Sequence, residues 1–296
     1  MDIAVIGGGI SGMLCAYLLS DEHRVTLFEA TDRLGGHTHT PHMTLAGKTI
    51  PVDTGFSIFN QRHYPNFAKL LQRIDVRSVP TKFGVNLRSE AAKLELQVPT
   101  PASLLSRPGN LLRPRFYRVL THAVRFLHDA KTFLDGRERA ATLKDFLDQG
   151  EYPEVFRRHF LTPLLAAVRT AEHNAPFNTP AYTVLCFLER HGLLEMSNWP
   201  EWRVLRDGAA KYIPKLTLPY QKRVRFNTPV QSVRRTHDEV LVTPRGGGPE
   251  RFEQVILACP SDHALQMLDP PTKTEEELLR AIPYQKIDAV LHTDAS

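Results

Sequence analysis

The first thirty residues alternate between apolar runs and polar breaks in a pattern that predicts a strand, a helix and a second strand. Residues 3–6 form a continuous apolar run, which is typical of a strand buried on both faces. Across residues 10–18 the apolar positions recur about every 3.6 residues, which indicates a helix. A second apolar run at residues 25–28 predicts the next strand. The chain is therefore expected to begin with a β-α-β arrangement.

Glycines fill the turn between the first strand and the helix. Gly7, Gly9 and Gly12 follow the spacing G-x-G-x-x-G, which allows a tight turn, a close approach to a pyrophosphate and packing of the helix on the strand. The N–H groups at the start of the helix, which include those of Ile10 and Ser11, would face the phosphates. The predicted strand, helix and second strand have the order that this fingerprint requires. The pattern therefore predicts a dinucleotide-binding site rather than a chance glycine turn.

An acidic residue and a second pair of glycines follow the second strand. Glu29 stands at the tip of that strand, where a carboxylate can accept hydrogen bonds from an adenosine ribose. Arg33 can pair with phosphate, and Gly35 with Gly36 allows a second close approach of the backbone. His37 follows this pair, and we expect it to contact the same cofactor. These positions extend the predicted site beyond the first turn.

Residues 30–38 resemble the extended FAD fingerprint of the superfamily of flavin-containing amine oxidases, protoporphyrinogen oxidases and phytoene desaturases. The chain is most similar to a bacterial group in that superfamily, described as predicted NAD/FAD-binding amine-oxidase-like proteins. This similarity continues through residues 59–67, 110–116, 191–194 and 202–203, whereas residues 52–56 resemble the strand and turn that follow the FAD fingerprint across the superfamily. It implies FAD as the cofactor and an α/β fold class, with a Rossmann-type FAD-binding domain built from discontinuous segments and an inserted helical and mixed-sheet substrate domain.

The resemblance and the apolar pattern together divide the chain into two expected domains. Residues 1–60 and 206–264 would form the FAD-binding domain, and residues 61–205 and 265–296 the substrate domain. Helices are predicted at residues 65–74, 114–134, 142–149, 153–169 and 180–191. Thr142, with Asp145 three residues later, is expected to cap the N-terminus of the third of these helices. An antiparallel meander is predicted across residues 224–243, and one buried strand at residues 252–259.

Two further expectations come from the superfamily alone. The position that matches Val230 offers backbone hydrogen bonds to the adenine end of FAD there, and an ordinary hairpin edge is the alternative interpretation. Members of the superfamily close the flavin site with a C-terminal glycine-rich segment. Residues 287–293 resemble instead a strand of the substrate domain, so the chain is expected to lack that last FAD segment.

Composition narrows the class of protein. Of 296 residues, 42% are hydrophobic and 23% are charged, which are ordinary globular values. The three cysteines have no pairing pattern, no leader-like N-terminus is present, and no apolar run approaches the roughly 18 residues of a membrane span. A cytoplasmic location is therefore expected. His37, His39 and His42 lack an accompanying carboxylate or cysteine, so no metal site is expected.

The net charge of +5 comes from arginines spread along the chain, and the densest group is at positions 107, 113, 115, 118 and 125. We interpret this group as the solvated face of a helix that packs on the core. The alternative is a peripheral membrane contact, in which a basic amphipathic surface docks on anionic lipid, or a surface that steers an acidic substrate. Nucleic acid is not an expected partner, because no RNA- or DNA-binding module accompanies the charge.

The expected function is that of an FAD-dependent oxidoreductase that oxidises a small organic substrate, either an amine or an apolar, lipid-like chain, by hydride transfer to flavin. No catalytic residue is assigned, because such chemistry mainly needs an oriented substrate. His191 and Glu195 are candidates for a substrate cavity, although a helix end also explains them. Alternatives are a flavin-binding structural or partner protein without catalysis and an NAD-dependent dehydrogenase. Arg33 and the second glycine pair argue against the dehydrogenase.

Overall fold

The computed structural model describes residues 1–45, 47–82, 84–89, 94–98, 112–169, 175–195, 200–284 and 290–292. Its strands are β1 (Asp2–Ile6), β2 (Arg24–Phe28), β3 (His42–Leu45), β4 (Lys48–Pro51), β5 (Phe59–Asn60), β6 (Ser78–Pro80), β7 (Val85–Ser89), β8 (Leu94–Val98), β9 (Trp202–Leu205), β10 (Val224–Arg225), β11 (Val230–Arg235), β12 (Val240–Pro244), β13 (Glu250–Phe252) and β14 (Gln254–Leu257). Its α-helices are α1 (Ile10–Leu19), α2 (Pro65–Arg73), α3 (Pro114–Asp135), α4 (Leu143–Gln149), α5 (Glu154–Phe156), α6 (Thr162–Arg169), α7 (Ala181–Arg190), α8 (Tyr212–Thr217), α9 (Ser261–Met267) and α10 (Lys273–Arg280). Shorter helical segments are a π-helix at Arg157–Leu161 and 3₁₀-helices at Ala175–Asn178, Ala209–Lys211 and Leu218–Arg223.

Contacts divide the described residues into two compact units, each discontinuous in sequence. The first unit draws on Met1–Ile58, Asn66–Val79 and Val204–Ser296, and the second on Phe59–Pro65 and Pro80–Arg203. Residues 66–79 and 265–284, which the sequence analysis placed in the substrate domain, cluster with the first unit. The division into an FAD-binding domain and a substrate domain at the expected boundaries stays a prediction.

A four-stranded parallel sheet in the order β10-β2-β1-β14 forms the centre of the first unit. Its core side chains Ala4, Val5, Val25 and Leu27 are fully buried. Strands buried in this way are typical of parallel sheets with covered faces, and the Rossmann-type α/β class is confirmed. The order of the strands reverses at β1, since β2 and β14 lie on its two sides. Ligands of such sheets bind outside the carboxyl ends of the strands at this reversal.

Two strand predictions were wrong. Residues 224–226 were expected in the antiparallel meander, but β10 pairs in parallel with β2. Residues 252–259 were expected to form one strand, but the run breaks at Glu253, whose N–H donates to the Asp2 carbonyl at 2.9 Å. β13 completes the antiparallel sheet β11-β12-β13, whereas β14 pairs with β1. Phe252 and the partly buried Val255 and Leu257 nevertheless pack in one hydrophobic cluster, so the apolar run continues across the break.

Helices make most of the second unit, as expected. α3 buries Phe116, Val119 and Phe126 in a core that also contains residues of α4 and α7. α4 begins with the predicted cap: Thr142 Oγ1 accepts the N–H of Asp145, and the Asp145 carboxylate accepts the N–H of Thr142. This reciprocal arrangement satisfies two N–H groups that the start of a helix leaves unpaired.

The predicted helix at residues 153–169 contains a π-helical segment at Arg157–Leu161. The N–H of Thr162 donates to the carbonyl of Arg157, five residues earlier, and its Oγ1 donates to the same oxygen at 2.8 Å. Pro163 follows and has no N–H with which to continue the ordinary α-helical ladder. The helix therefore widens at the position where proline interrupts its hydrogen bonds.

The basic face of α3 is only partly open to solvent. Arg115 and Arg118 are exposed. Arg125 instead lies over the Tyr152 ring, 4.3 Å from its centroid, and pairs with Asp129 at 3.5 Å. Position 107 and most of the strand expected at residues 287–293 lie outside the described residues. Among the helices that are described, none combines the length and apolar character needed to cross a membrane.

Candidate functional site

The turn between β1 and α1 leaves no room for a side chain at two of its glycines. Gly7 has a φ of +112°, and a Cβ there would overlap the carbonyl oxygen of Ala258. A Cβ on Gly12 would overlap the carbonyl oxygen of Gly7, because the first turn of α1 packs directly on the end of β1. These are the turn position and the helix-packing position of the G-x-G-x-x-G pattern.

Gly9 has the opposite surroundings, since no atom lies within 4 Å of the place where its Cβ would be. It caps the N-terminus of α1 with an extended backbone, φ −72° and ψ 178°. The N–H groups of Ile10, Ser11 and Gly12 form the first helical turn, where backbone donors have no partner within the helix. Open space beside such donors, at the positive end of the helix dipole, fits a pyrophosphate.

The second glycine pair lies against the first glycine turn. The N–H of Gly35 donates to the carbonyl of Gly8 at 2.8 Å, and Gly9 and Gly35 form a parallel β-bridge. Gly36 has a φ of +56°, and a Cβ there would lie 3.1 Å from the Cα of Gly9. Gly8, Gly9, Gly35 and Gly36 therefore form one continuous backbone surface, which we call the glycine cradle.

Glu29 is fixed beside the glycine cradle by its own hydrogen bonds. Its Oε2 accepts the N–H of Gly8 at 2.8 Å, and its Oε1 accepts both the N–H and the hydroxyl of Thr31 at 2.8 Å. A carboxylate has about four acceptor positions. One acceptor position therefore remains for a ribose hydroxyl, as the expected role requires.

Arg33 has a structural contact that the sequence analysis missed. Its guanidinium donates to the carbonyl oxygens of Gly36 at 3.1 Å and Thr38 at 3.4 Å. These bonds hold the backbone that leaves the glycine cradle. A guanidinium has five N–H donors, so others remain for the expected pairing with phosphate.

His37 and Val230 lie in the same unit as the glycine cradle. The side chain of His37 is exposed, and its carbonyl accepts the N–H of Phe56 at 3.4 Å. Val230 is paired with Pro244 in the sheet. Because proline has no N–H, Pro244 donates no hydrogen bond to the Val230 carbonyl. The segment before Val230 is tied to β2 by the N–H of Thr228, which donates to the Glu29 carbonyl at 2.8 Å. Contact of either residue with a cofactor stays a prediction.

The three histidines near the second glycine pair have separate surroundings. His39 Nδ1 lies 3.2 Å from Thr54 Oγ1, and His42 is an exposed residue of β3. Across the part of the chain that the structure describes, no group of three or more His, Cys, Asp or Glu side chains could hold a metal ion.

A second polar site lies within the second unit, where the turn at residues 60–64 meets the end of α7. The hydroxyl of Tyr64 lies 2.9 Å from His191 Nε2, and the guanidinium of Arg62 makes two bonds of 2.9 and 2.8 Å with the Glu195 carboxylate. The sequence analysis named His191 and Glu195 but missed their partners, which lie 127 and 133 residues away in the chain. Only the tertiary structure brings these residues together.

Comparisons with known proteins relate the chain to a family of flavin enzymes. The model of a family described as flavin containing amine oxidoreductase matches residues 10–293. The chain is 31% identical to a carotenoid phi-ring synthase of Streptomyces griseus over 172 residues, which are 51% of this chain and 32% of that protein. It therefore spans about a third of the length of this relative.

Solved structures share the fold. A cyclohexylamine oxidase from Brevibacterium oxydans IH-35A matches with a TM-score of 0.74 and 20% identity, over 94% of this chain and 62% of that one. A putrescine oxidase bound to putrescine matches with a TM-score of 0.69 and 16% identity, over 94% of this chain and 63% of that one. At such low identities the likeness supports the fold alone.

Proposed function

Because this chain belongs to the flavin containing amine oxidoreductase family, we propose that it oxidises an organic substrate by hydride transfer to FAD. Membership confirms the expected superfamily and its cofactor, FAD. The enzymes of this family are FAD-dependent oxidoreductases, which is the enzyme class expected from the sequence. Bound FAD supplies an acceptor for a hydride from a C–H bond, and the chain supplies binding and orientation.

The open space over Gly9 is the observation that carries this proposal. A side chain would fit there without touching the protein, yet glycine is present, and the unpaired N–H groups of α1 begin at the next residue. In the proposal, Gly7, Gly9, Ile10, Ser11 and Gly12 hold the pyrophosphate. Glu29 accepts a hydrogen bond from the ribose. A second segment of backbone contacts the cofactor at Arg33, Gly35, Gly36 and His37, and the backbone of Val230 contacts the adenine end.

The substrate in this proposal is an amine or an apolar, lipid-like chain. Putrescine and cyclohexylamine appear in the descriptions of two structural neighbours, which supports an amine. A carotenoid appears in the description of the curated relative, which supports an apolar chain. The identities and the partial coverage are too low to transfer either substrate directly, so the two classes are tested side by side.

The test is anaerobic reduction of the bound flavin. The purified protein would be mixed with n-hexylamine, putrescine and an unsaturated fatty acid in turn, and the visible absorbance of the flavin recorded. We expect one chemical class to bleach the flavin, and Gly9→Val protein to carry none. Retained FAD that no compound reduces would support the flavin-binding structural or partner protein instead.

A further inference from the structure

The hairpin formed by β3 and β4 brings Thr40, which precedes it, next to Asp53, which follows it. The hydroxyl of Thr40 donates to Asp53 Oδ1 at 2.5 Å. Asp53 Oδ1 also accepts the N–H of Ala209 at 2.9 Å, and Thr40 Oγ1 accepts the N–H of Ala210 at 3.0 Å. The first N–H groups of a helix have no partner within it, so these two side chains supply the partners that the helical turn at Ala209 needs. We call Thr40 and Asp53 the hairpin cap.

The turn before Ala209 lies directly against the hairpin cap. Asp207 and Gly208 have φ values of +65° and +101°, a conformation that Asp tolerates and Gly adopts freely. A Cβ on Gly208 would overlap Thr40 Cγ2. Glycine at this position therefore allows the N–H groups of Ala209 and Ala210 to reach the side chains of the cap.

The helical turn at Ala209 continues as α8, which packs on the glycine cradle. The hydroxyls of Tyr212 and Thr38 lie 2.7 Å apart, and both residues are buried. A Cβ on Gly35 would lie 2.8 Å from Ile213 Cδ1, so α8 lies directly against the cradle. Thr38 also closes the turn that leaves the cradle, since its N–H donates to the Gly35 carbonyl at 2.9 Å. The position of α8 therefore limits where Gly35 and Gly36 can lie.

The chain after β4 bonds to the same segment that leaves the cradle. The N–H of Thr54 donates to the His39 carbonyl at 3.0 Å, and the N–H of Phe56 donates to the His37 carbonyl at 3.4 Å. A Cβ on Gly55 would overlap the His37 carbonyl oxygen. Displacing residues 37–40 would therefore break contacts with two elements at once, the helix that begins at Ala209 and the segment after β4.

We propose that Asp53 and Thr40 are positioning residues for FAD, which hold Gly35 and Gly36 in the conformation that binds the pyrophosphate by fixing the start of the helix that packs on them. Neither side chain contacts the cofactor in this proposal. We rest this inference on the proposed function for the identity of the ligand. Loss of the hairpin cap should lower the affinity for the pyrophosphate and, because such coupling is reciprocal, binding of the pyrophosphate should stabilise the cap.

The first test removes the Asp53 acceptor from the full chain freed of flavin. Asp53→Ala should weaken the binding of both FAD and ADP about tenfold in calorimetric titrations, since ADP carries the same adenosine and pyrophosphate. Asp53→Asn keeps an Oδ1 acceptor and should remain within about threefold of the wild type. Thr272→Ala is the matched control, because it removes a capping side chain from α10 in the same unit, and it should leave both affinities unchanged.

Thr40 provides a second pair of variants, which does not depend on the folding of Asp53→Ala. Thr40→Val keeps the shape of the side chain but has no hydroxyl, whereas Thr40→Ser keeps the hydroxyl. Thr40→Val should weaken ADP binding about tenfold, and Thr40→Ser should retain the wild-type affinity. Equal affinities of these two variants would contradict a role for the hydroxyl.

Hydrogen exchange of the wild-type protein tests the coupling without a substitution. Saturating ADP should slow exchange of the Ala209 and Ala210 N–H groups about tenfold, although ADP contacts neither in this proposal. The N–H of Glu275 is the control, because Thr272 caps it in the same way at the start of α10, and its exchange should change much less. A residue that only supported folding would give no such difference.

Wild-type affinity for ADP in both Asp53→Ala and Thr40→Val, or unchanged exchange at Ala209 and Ala210 with ADP bound, would overturn the proposal. Either result would leave the proposed function intact if substrates still reduce the bound flavin. Wild-type protein that carries no flavin but binds ADP, with the expected losses in the variants, would support the positioning role and contradict the proposed function. Failure of the wild type to bind either FAD or ADP would contradict both.

Discussion

The glycine cradle and the polar cluster around His63, where residues 60–64 meet the end of α7, are two regions built by opposite means. The glycine cradle is a surface of backbone atoms, which glycine leaves uncovered because it has no side chain. Around His63 the side chains pair with one another, and two of these pairs join segments 127 and 133 residues apart in the chain. A backbone site fails when atoms are added, whereas a side-chain site fails when a partner is removed. The two therefore respond to different substitutions.

The largest effect should come from adding one carbon at Gly12. A Cβ there would overlap the Gly7 carbonyl, and the backbone can relieve this overlap only at a large energetic cost. Gly12→Ala should therefore lower the free energy of unfolding by about 3 kcal/mol. Gly9→Ala is the matched control and should change it by less than about 0.5 kcal/mol, because nothing lies near that Cβ. Urea unfolding of both variants measures the difference, and equal stabilities would contradict this account of the turn.

At Gly9 the effect should appear in ligand affinity. Gly9→Val places a side chain in the open space over the first turn of α1, so FAD affinity should fall at least about a hundredfold while the protein stays folded. Gly248→Val is the control, since Gly248 is exposed and also has no atom near its Cβ. Unchanged flavin stoichiometry in Gly9→Val would show that the pyrophosphate lies elsewhere.

Glu29 tests the side-chain component of the glycine cradle. Glu29→Gln replaces one of two charged acceptors by an N–H₂ group, which can no longer accept from Gly8 or from a ribose. FAD binding should weaken by about 1–3 kcal/mol, measured by titration of the apo-protein. Glu22→Gln on the exposed turn after α1 should leave the affinity unchanged. A Glu29→Gln variant with wild-type affinity would remove this residue from the site.

The features that could be predicted from the sequence are those decided within a few residues. The turn at Gly7 and the cap at Thr142 follow from local backbone geometry, and both are found where expected. The break at Glu253 could not be predicted, because it depends on which sheet each half of an apolar run joins. The partners of His191 and Glu195 were missed for the same reason, since they lie 127 and 133 residues away in the chain and no local pattern encodes those contacts.

The smallest effect concerns the pH dependence of stability. The pKa of His63 is lowered in the folded protein, so below pH 6.5 the unfolded chain binds a proton that the folded chain does not. The free energy of unfolding should therefore decline as the pH falls from about 6.5 towards the lower pKa of the folded state. His63→Gln should flatten this slope in urea melts. His122 contributes in the same direction, so part of the slope should remain.

The most direct test of the central claim is a titration of the apo-protein with FAD and FMN, in the wild type and in Gly9→Val. In the proposed site the glycine cradle binds the pyrophosphate and Glu29 binds the ribose of the AMP half of FAD, and FMN lacks this half. We therefore expect the wild-type protein to bind FAD much more tightly than FMN and Gly9→Val to lose this preference. Equal affinity of the wild type for FAD and FMN, or an undiminished preference in Gly9→Val, would contradict it.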